Sequence, residues 1–298
     1  MTNITDGMSE FFERKKYTDL KNVFHEISGI NYAVVKGVPL KLLCGGGTTA
    51  LYSDVDILTD RKSIGILNTA LNRSGYYNDT KRENRIFALT SSHQTMPYSK
   101  IYSPHEKADV NFDIFWGEYK GKRIDINKFL SDTVKTEIYG VKVKTLPPLK
   151  AMIQLILHHY KDMNSIFLLA TRKSLKYDMF RDVYHLLKNN YEEISLEKLY
   201  AMSEEYEIIP YVFYILHYTG QIFDDDILRR YTEAFATPDG KSLLGCYGLS
   251  EEERKEWKCD FKTRLNAENL YDLIKDDLTE KDKEKIALNK RFFSEVSE

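Results

Sequence analysis

The feature that most constrains the fold is a change in hydrophobic period at Pro147-Pro148. Before this pair, short apolar runs are continuous or alternate with polar residues, which is typical of strands. After it, beginning with "LKAMIQLILHHY", apolar residues recur every three to four positions, which is typical of helices. The pattern predicts an α+β protein, with strands and helices in residues 1–147 and an all-helical domain in residues 148–298.

Local signals predict the individual elements. The first is a helix over residues 8–28, because Leu20, Val23, Phe24 and Ile27 share one face. The other expected elements of the first domain are strands at 32–35 and 51–58, helices beginning at Gly37 and spanning 60–74, a run of strands over 83–116, and a hairpin over 136–146. Those of the second are helices near 177–189, 195–206, 208–219 and 224–236, with capping pairs at Ser250/Glu253 and Thr279/Asp282.

Charge and cysteine content exclude several classes of protein. Lys plus Arg number 43 against 45 Asp plus Glu, so the net charge of -2 gives no general electrostatic footprint for duplex DNA. The three cysteines are widely spaced and form no CxxC pair, which argues against a disulfide framework or zinc site and favours a reducing cytoplasm. No apolar leader or membrane-spanning run occurs, so a cytoplasmic protein without membrane contacts is expected.

The strand at 51–58 carries the strongest chemical signal, the aspartate pair in "SDVDIL". Residues two apart on a strand point the same way, roughly 7 Å apart at Cα, so Asp54 and Asp56 share a face. Two carboxylates so spaced can hold divalent cations, and two such ions can clamp the oxygens of a phosphoryl displacement. A lone pair of this kind is also common on solvated surfaces, so the context has to decide.

A third carboxylate is expected on the later strand "ADVNFDIFW". Asp109 and Asp113 lie on the same face of that strand, roughly 13 Å apart. Asp113 is the preferred ligand because it is flanked by Phe112 and Ile114 within the apolar strand. Asp109 follows a polar stretch that predicts the beginning of the strand, so it is the reserve candidate.

Two glycine-containing segments compete for the phosphate-binding role. In the first, "VVKG" is followed by a helix, so Lys36-Gly37 would present backbone N–H groups at a helix N-terminus. In the second, Gly45-Gly46-Gly47 is followed by a strand, whereas a phosphate loop requires a following helix. The glycine run is therefore interpreted as a helix stop and loop.

The order "VVKG", "SDVDIL", "FDIFW" resembles the DNA polymerase β-like nucleotidyltransferase superfamily and, more narrowly, the bacterial uncharacterised nucleotidyltransferase family. The resemblance covers roughly residues 30–220. It implies a nucleotidyltransferase-fold mixed sheet with flanking helices in the first domain and a helical domain that completes the cleft. It also implies that Lys36, Gly37 and Ser53 contact the nucleotide, while Asp54, Asp56 and Asp113 are catalytic and hold Mg²⁺ or Mn²⁺.

The sequence departs from the family at two positions. Phe115 stands where the family has a histidine, and Thr48-Thr49 occupy a loop where an arginine is common. Neither departure removes a carboxylate, so metal binding is still expected. His158, His159, Lys161 and Asp182 are further candidates for the cleft, although helical histidines more often serve packing or capping.

The resulting hypothesis is a metal-dependent nucleotidyltransferase that moves a nucleoside monophosphate from a nucleoside triphosphate, such as ATP, to an acceptor, with release of pyrophosphate. The acceptor stays open between a small-molecule hydroxyl, a protein side chain and an RNA end. Two alternatives are a non-catalytic module that binds a nucleotide or a partner, and a toxin-like transferase that modifies tRNA or a protein.

Overall fold

The computed structural model describes residues 4–46, 54–91, 94–103, 106–113, 124–171 and 174–293, with side chains described over 10–46, 54–90, 94–100, 124–171 and 174–293. The chain divides into two compact units. The first comprises Met1–Leu42, Thr49–Glu118 and Arg123–Pro147, and the second comprises Leu43–Thr48, Tyr119–Lys122 and Pro148–Glu298.

A six-stranded mixed sheet organises the first unit. Its strands are β1 (Tyr32–Val35), β2 (Asp54–Thr59), β3 (Tyr98–Ser103), β4 (Glu106–Asp113), β5 (Val134–Ile138) and β6 (Val141–Thr145). Their order is β3-β4-β2-β1-β6-β5, with β2–β4 and β1–β6 parallel and the other neighbours antiparallel. The helices are α1 (Ile4–Glu26), α2 (Gly37–Leu43), α3 (Ile64–Arg73), α4 (Arg82–Ser91) and α5 (Ile126–Phe129).

Helices α1 and α3 cover one face of this sheet. The predicted apolar face of α1 is confirmed, since Leu20, Val23, Phe24 and Ile27 are all buried in the same hydrophobic cluster. Val55 and Ile57 join that cluster from β2. Burial of each large aliphatic or aromatic side chain contributes roughly 1.5–3 kcal/mol, so this contact fixes which face of β2 points away from α1.

One predicted segment was wrong. The run of strands expected over 83–116 contains β3 and β4 but begins with a helix, α4. Asn84 and Ala88 are the buried residues of this helix, one turn apart. Because one of the two is polar, the helical period is weak in the hydrophobic pattern and is only revealed by packing.

The second unit is helical, as predicted. Its helices are α6 (Pro148–Asn164), α7 (Ile166–Thr171), α8 (Tyr177–Asn189), α9 (Leu196–Glu205), α10 (Ile209–Ile222), α11 (Asp226–Phe235), α12 (Pro238–Leu243), α13 (Phe261–Asn266), α14 (Tyr271–Ile274) and α15 (Glu280–Phe293). The unit also contains a two-stranded antiparallel ribbon of β7 (Cys246–Tyr247) and β8 (Lys255–Glu256), which the prediction of an all-helical domain did not include. Within the described ranges, no helix is both long enough and apolar enough to span a bilayer.

Helix caps in the second unit were partly readable from sequence. Thr279 and Asp282 form the predicted reciprocal box at the start of α15: Asp282 N–H donates to Thr279 Oγ1 at 3.2 Å, and Thr279 N–H donates to Asp282 Oδ2 at 2.9 Å. Ser250 accepts from the Glu253 N–H at 3.3 Å, as its spacing predicted. These bonds satisfy helix-start donors that have no partner within their own turn.

Candidate active site

The aspartate pair of β2 occupies one face of an interior strand. Val55 and Ile57 point into the hydrophobic cluster under α1, so the alternation of the strand directs Asp54 and Asp56 to the opposite face. Asp56 is only 8% exposed, and Asp54 is half-buried. A carboxylate withdrawn from water to this degree requires a cation or several hydrogen-bond donors nearby.

Lys36 supplies a cation to Asp56. Its Nζ lies 3.2 Å from Asp56 Oδ2, and each side chain is 11% exposed. The pair forms because Val35, the last residue of β1, is the register partner of Asp56 in antiparallel β2. Lys36 therefore leaves β1 directly beside the carboxylate. In a site this dry, the attraction is much stronger than for a surface ion pair.

The turn that carries Lys36 has an uncommon backbone. Lys36 and Gly37 adopt φ angles of 55° and 42°, so two consecutive residues are left-handed. For a lysine this costs about 1 kcal/mol or more. The reversal brings the chain from β1 into α2, whose first turn is closed by Leu40 N–H donating to Lys36 O at 3.1 Å. The φ of 42° at the start of α2 therefore favours glycine at position 37.

A buried tyrosine lies in the field of these charges. Burial raises the pKa of Tyr17 strongly, and electrostatic interactions with Glu13, Tyr139 and Asp56 raise it further. Tyr17 therefore keeps a neutral hydroxyl throughout the physiological range. It belongs to α1, far from β2 in sequence, so no sequence motif connected it with the aspartate pair.

The register of β4 decides which of its residues neighbour the pair. In the parallel β2–β4 ladder, Asp54 is opposite Asp109, Asp56 is opposite Asn111, and Leu58 is opposite Asp113. Residues opposite one another in a ladder share a face, so Asp109 and Asp113 both lie on the face of the pair. Asp109 is the direct neighbour of Asp54. Asp113 lies one strand repeat past Asp56, roughly 7 Å along the ladder.

This register corrects one argument made from sequence. Asp109 was expected at the beginning of its strand and Asp113 in the interior, whereas β4 begins at Glu106 and its described part ends at Asp113. Asp109 is therefore inside the strand. The assignment of Asp113 as third ligand stays a prediction, because the described part of β4 comprises its backbone alone.

The glycine run is a helix stop. Helix α2 ends at Leu43, and Gly45 and Gly46 follow with left-handed φ angles of 61° and 78°. Two asparagine side chains stabilise the C-terminal end of α2. Asn190 Nδ2 donates to Leu43 O at 2.8 Å, and Asn189 Nδ2 donates to Cys44 O at 2.7 Å. A Cβ on Gly45 would approach Asn189 Nδ2 to 3.1 Å. Gly47 and Ser53 lie outside the described residues.

The remaining candidates lie in the second unit. His158 Nε2 is 3.3 Å from Asp162 Oδ2 on α6, and the ring of His159 is adjacent. Asp182 on α8 is buried, and its backbone carbonyl accepts the Cys44 thiol at 3.6 Å. Lys161 is half-buried on α6. Asp162 was missed by sequence reasoning, although its four-residue spacing from His158 was the available signal.

Comparisons with known proteins bear on the identity of this arrangement. The profile of the uncharacterised nucleotidyltransferase family matches residues 13–224. The chain belongs to this family. The match confirms the resemblance first drawn from "VVKG", "SDVDIL" and "FDIFW", and it includes β1, β2, β4 and helices α6–α10. No curated protein matches the sequence.

Two solved structures are similar to this family member. One is the antibiotic-resistance factor ANT(2'')-Ia, at 9% identity and a TM-score of 0.39, with 65% of this chain and 94% of that chain covered. The other is an antigenic nucleotidyltransferase-like protein from Paracoccidioides brasiliensis, at 16% identity and a TM-score of 0.35, with 66% of this chain and 90% of that chain covered.

Proposed function

We propose that the protein transfers a nucleoside monophosphate from a nucleoside triphosphate to an acceptor and releases pyrophosphate. The observation that carries the proposal is the buried face of β2, where Asp54 and Asp56 lie together and Asp56 already binds a cation, the Lys36 ammonium. This face can attract divalent cations, and it neighbours a parallel strand that offers further acidic positions.

The donor set fits a hard divalent cation. Asp54 and Asp56 would hold Mg²⁺ or Mn²⁺, which prefer oxygen ligands, with Asp113 as the proposed third ligand and Asp109 as the alternative that the register favours. When bound, such an ion neutralises triphosphate charge and polarises the phosphoryl group that is transferred. The pairing of Lys36 with Asp56 supports this fit, because a cationic group already lies 3.2 Å from the carboxylate.

The protein's own groups have separate tasks in this proposal. The flexible side chain of Lys36 could reach a phosphate bound near Asp54 and Asp56. When a divalent cation replaces the Lys36 ammonium at Asp56, the ammonium would move to the triphosphate. Gly37 and Ser53 would contact the nucleotide. The third carboxylate would accept the proton of the attacking hydroxyl, because an ionised carboxylate within hydrogen-bond distance can act as a general base.

The acceptor is expected to be a small-molecule hydroxyl, a protein side chain or an RNA end. The near-neutral net charge of -2 disfavours long nucleic acids, which are bound mainly through phosphate neutralisation. We therefore rank a small molecule or a protein above RNA.

The decisive experiment incubates the purified chain with each labelled nucleoside triphosphate, Mg²⁺ and a cell lysate, and asks which size fraction acquires label. Label is expected in one fraction only, and it should be absent with an Asp54→Asn, Asp56→Asn double variant. Equal labelling by the wild type and the double variant would remove the aspartate pair from the reaction.

A binding module is the second candidate, and the ion pair is the observation that favours it. Lys36 already neutralises Asp56 at 3.2 Å, which would suit a site that holds a nucleotide without requiring a metal. Equilibrium binding of a triphosphate that is unaffected by chelators, together with no pyrophosphate release from any fraction, would identify this function in place of transfer.

A further inference from the structure

We propose that His158, His159 and Asp162 of the second unit form a binding site for a divalent transition metal. The three residues occupy one short stretch of α6, at positions i, i+1 and i+4. Their ligand atoms all lie within 4.8 Å of one another. The proposal does not depend on the transferase activity, because it concerns other residues and another unit.

The distances suit coordination with small side-chain adjustments. In a tetrahedral site with bonds of roughly 2.0–2.1 Å, neighbouring ligand atoms are separated by roughly 3.3 Å. His158 Nε2 and Asp162 Oδ2 are 3.3 Å apart. The His159 ring, whose centroid is 5.6 Å from that of His158, completes the group. One ion bonded to all three atoms therefore requires torsion changes without movement of the helix.

Burial makes the group a good host for an ion. His159 is 7% exposed and Asp162 is 4% exposed, so both are withdrawn from solvent, while His158 retains an opening to water. Helix α6 packs against α7, α8, α9 and α10, which holds the ligand-bearing backbone rigid. A rigid element positions ligands more accurately than a loop. Three protein ligands with one open side leave a coordination position for water or another group.

The donor set predicts the kind of metal. Two imidazoles and one carboxylate suit Zn²⁺, Co²⁺ and similar ions, whereas Mg²⁺ prefers oxygen donors. The face of Asp54 and Asp56 offers carboxylate oxygens, which suit Mg²⁺ better than Zn²⁺ or Co²⁺. The two sites can therefore be distinguished by metal as well as by mutation.

The test titrates the full-length chain, freed of metal by a chelator, with Co²⁺ and Zn²⁺. We expect one Co²⁺ per chain with the visible absorption of a nitrogen-containing low-coordinate site, displaced by Zn²⁺ and unaffected by excess Mg²⁺. Loss of an outer-shell partner typically weakens metal binding by roughly 10–100-fold, so His158→Ala and Asp162→Asn, which each alter a ligand, should each weaken Co²⁺ binding at least that much. His185→Ala, which alters another helical histidine of the second unit, should leave binding unchanged.

Two results would overturn the proposal. One is the absence of Co²⁺ or Zn²⁺ binding to the folded wild-type chain, in which case His158 and Asp162 are only an ion pair. The other is Co²⁺ binding that survives in both ligand variants, or that disappears in the Asp54→Asn, Asp56→Asn variant. Circular dichroism on each variant verifies folding. Asp162→Asn preserves shape, and His158 is the more exposed histidine, so at least one folded variant is expected.

Discussion

At the scale of single residues, Lys36 is a cation placed directly beside the aspartate face. It stands beside Asp56 at 3.2 Å in a left-handed conformation that few lysines adopt. A cation so placed competes with a metal for the carboxylate and also attracts phosphate. Lys36 should therefore weaken metal binding and strengthen phosphate binding, so the two effects can be measured separately.

Replacing Lys36 with methionine should therefore strengthen Mg²⁺ binding in the absence of nucleotide and weaken triphosphate binding by roughly tenfold, about 1.4 kcal/mol. Calorimetry with Mg²⁺ alone and with triphosphate measures the two separately. Lys36→Arg retains the charge and is the matched control. If the methionine variant weakens both affinities equally, Lys36 supports the fold of the site instead of its charge balance.

Cysteine reactivity tests the packing at the end of α2. Burial, reinforced by the negative charge of Asp182, raises the pKa of Cys44 to about 12. Because the thiolate is the nucleophile, Cys44 should resist alkylation at pH 8 in the native chain and react only on unfolding. Cys246 and Cys259, both partly exposed, should react first. Mass mapping of the alkylated sites over time makes the measurement, and early labelling of Cys44 would contradict its burial.

At the scale of elements, the β2–β4 ladder determines which carboxylate joins the pair. Asp113 is favoured by the family resemblance, while the register makes Asp109 the neighbour of Asp54. A metal ligand must lie within a few ångströms of its partners, so the two residues cannot be equivalent.

We predict that Asp113→Asn abolishes transfer while preserving the fold and much of the nucleotide affinity, and that Asp109→Asn has little effect. Each substitution keeps the side-chain shape, so the two variants control for one another. Transfer rates and triphosphate affinities measured for both variants test the prediction. The reverse outcome, with loss only in Asp109→Asn, would mean that the ladder register overrides the motif alignment.

The glycines at the two ends of α2, Gly37 and Gly46, allow a test of which one contacts the nucleotide phosphates. Gly46→Ala should leave nucleotide affinity within a few-fold but reduce the free energy of unfolding by about 1–2 kcal/mol, because alanine disfavours a φ of 78°. Gly37→Asp should weaken nucleotide binding strongly by adding negative charge beside the proposed phosphate position. Chemical denaturation and nucleotide titration of both variants separate the two effects, and reversed effects on affinity would transfer the phosphate role to the glycine run.

At the scale of the whole molecule, stability depends on pH through buried ion pairs such as Lys255–Asp282, joined at 2.9 Å. Burial alone would raise the pKa of Asp282, but hydrogen bonds from Lys255 and Thr279 outweigh it and the pKa falls below its ordinary value of 3.8. A carboxyl whose pKa is lower in the folded state stabilises that state above the unfolded pKa. The contribution is lost as the pH falls from 3.8 towards the folded value.

Asp282→Asn should therefore lower the free energy of unfolding by about 1–3 kcal/mol at pH 7 and by progressively less below pH 3.8. Denaturant unfolding at several pH values provides the measurement. Asp272→Asn is the control, because the Asp272–Lys275 pair is exposed and such pairs contribute little. Equal losses in the two variants would contradict a special role for the buried pair.

The sequence by itself determined several features that depend on the local spacing of residues. The face shared by Asp54 and Asp56, the apolar face of α1, the end of α2 before Gly45 and the box at Thr279 all depend on neighbours a few residues apart. Such patterns are legible because helix and strand geometry fix which residues share a face.

Only the tertiary structure decided how distant segments meet. The Lys36–Asp56 ion pair, the position of Asp109 beside Asp54, and the helix at α4 in place of a strand each depend on pairing or packing between segments that are separated in the chain. A shift of two residues in the β2–β4 ladder would preserve every side chain's face and yet exchange Asp109 for another neighbour of Asp54. Hydrophobic alternation has a period of two, so it is identical in both registers and cannot distinguish them.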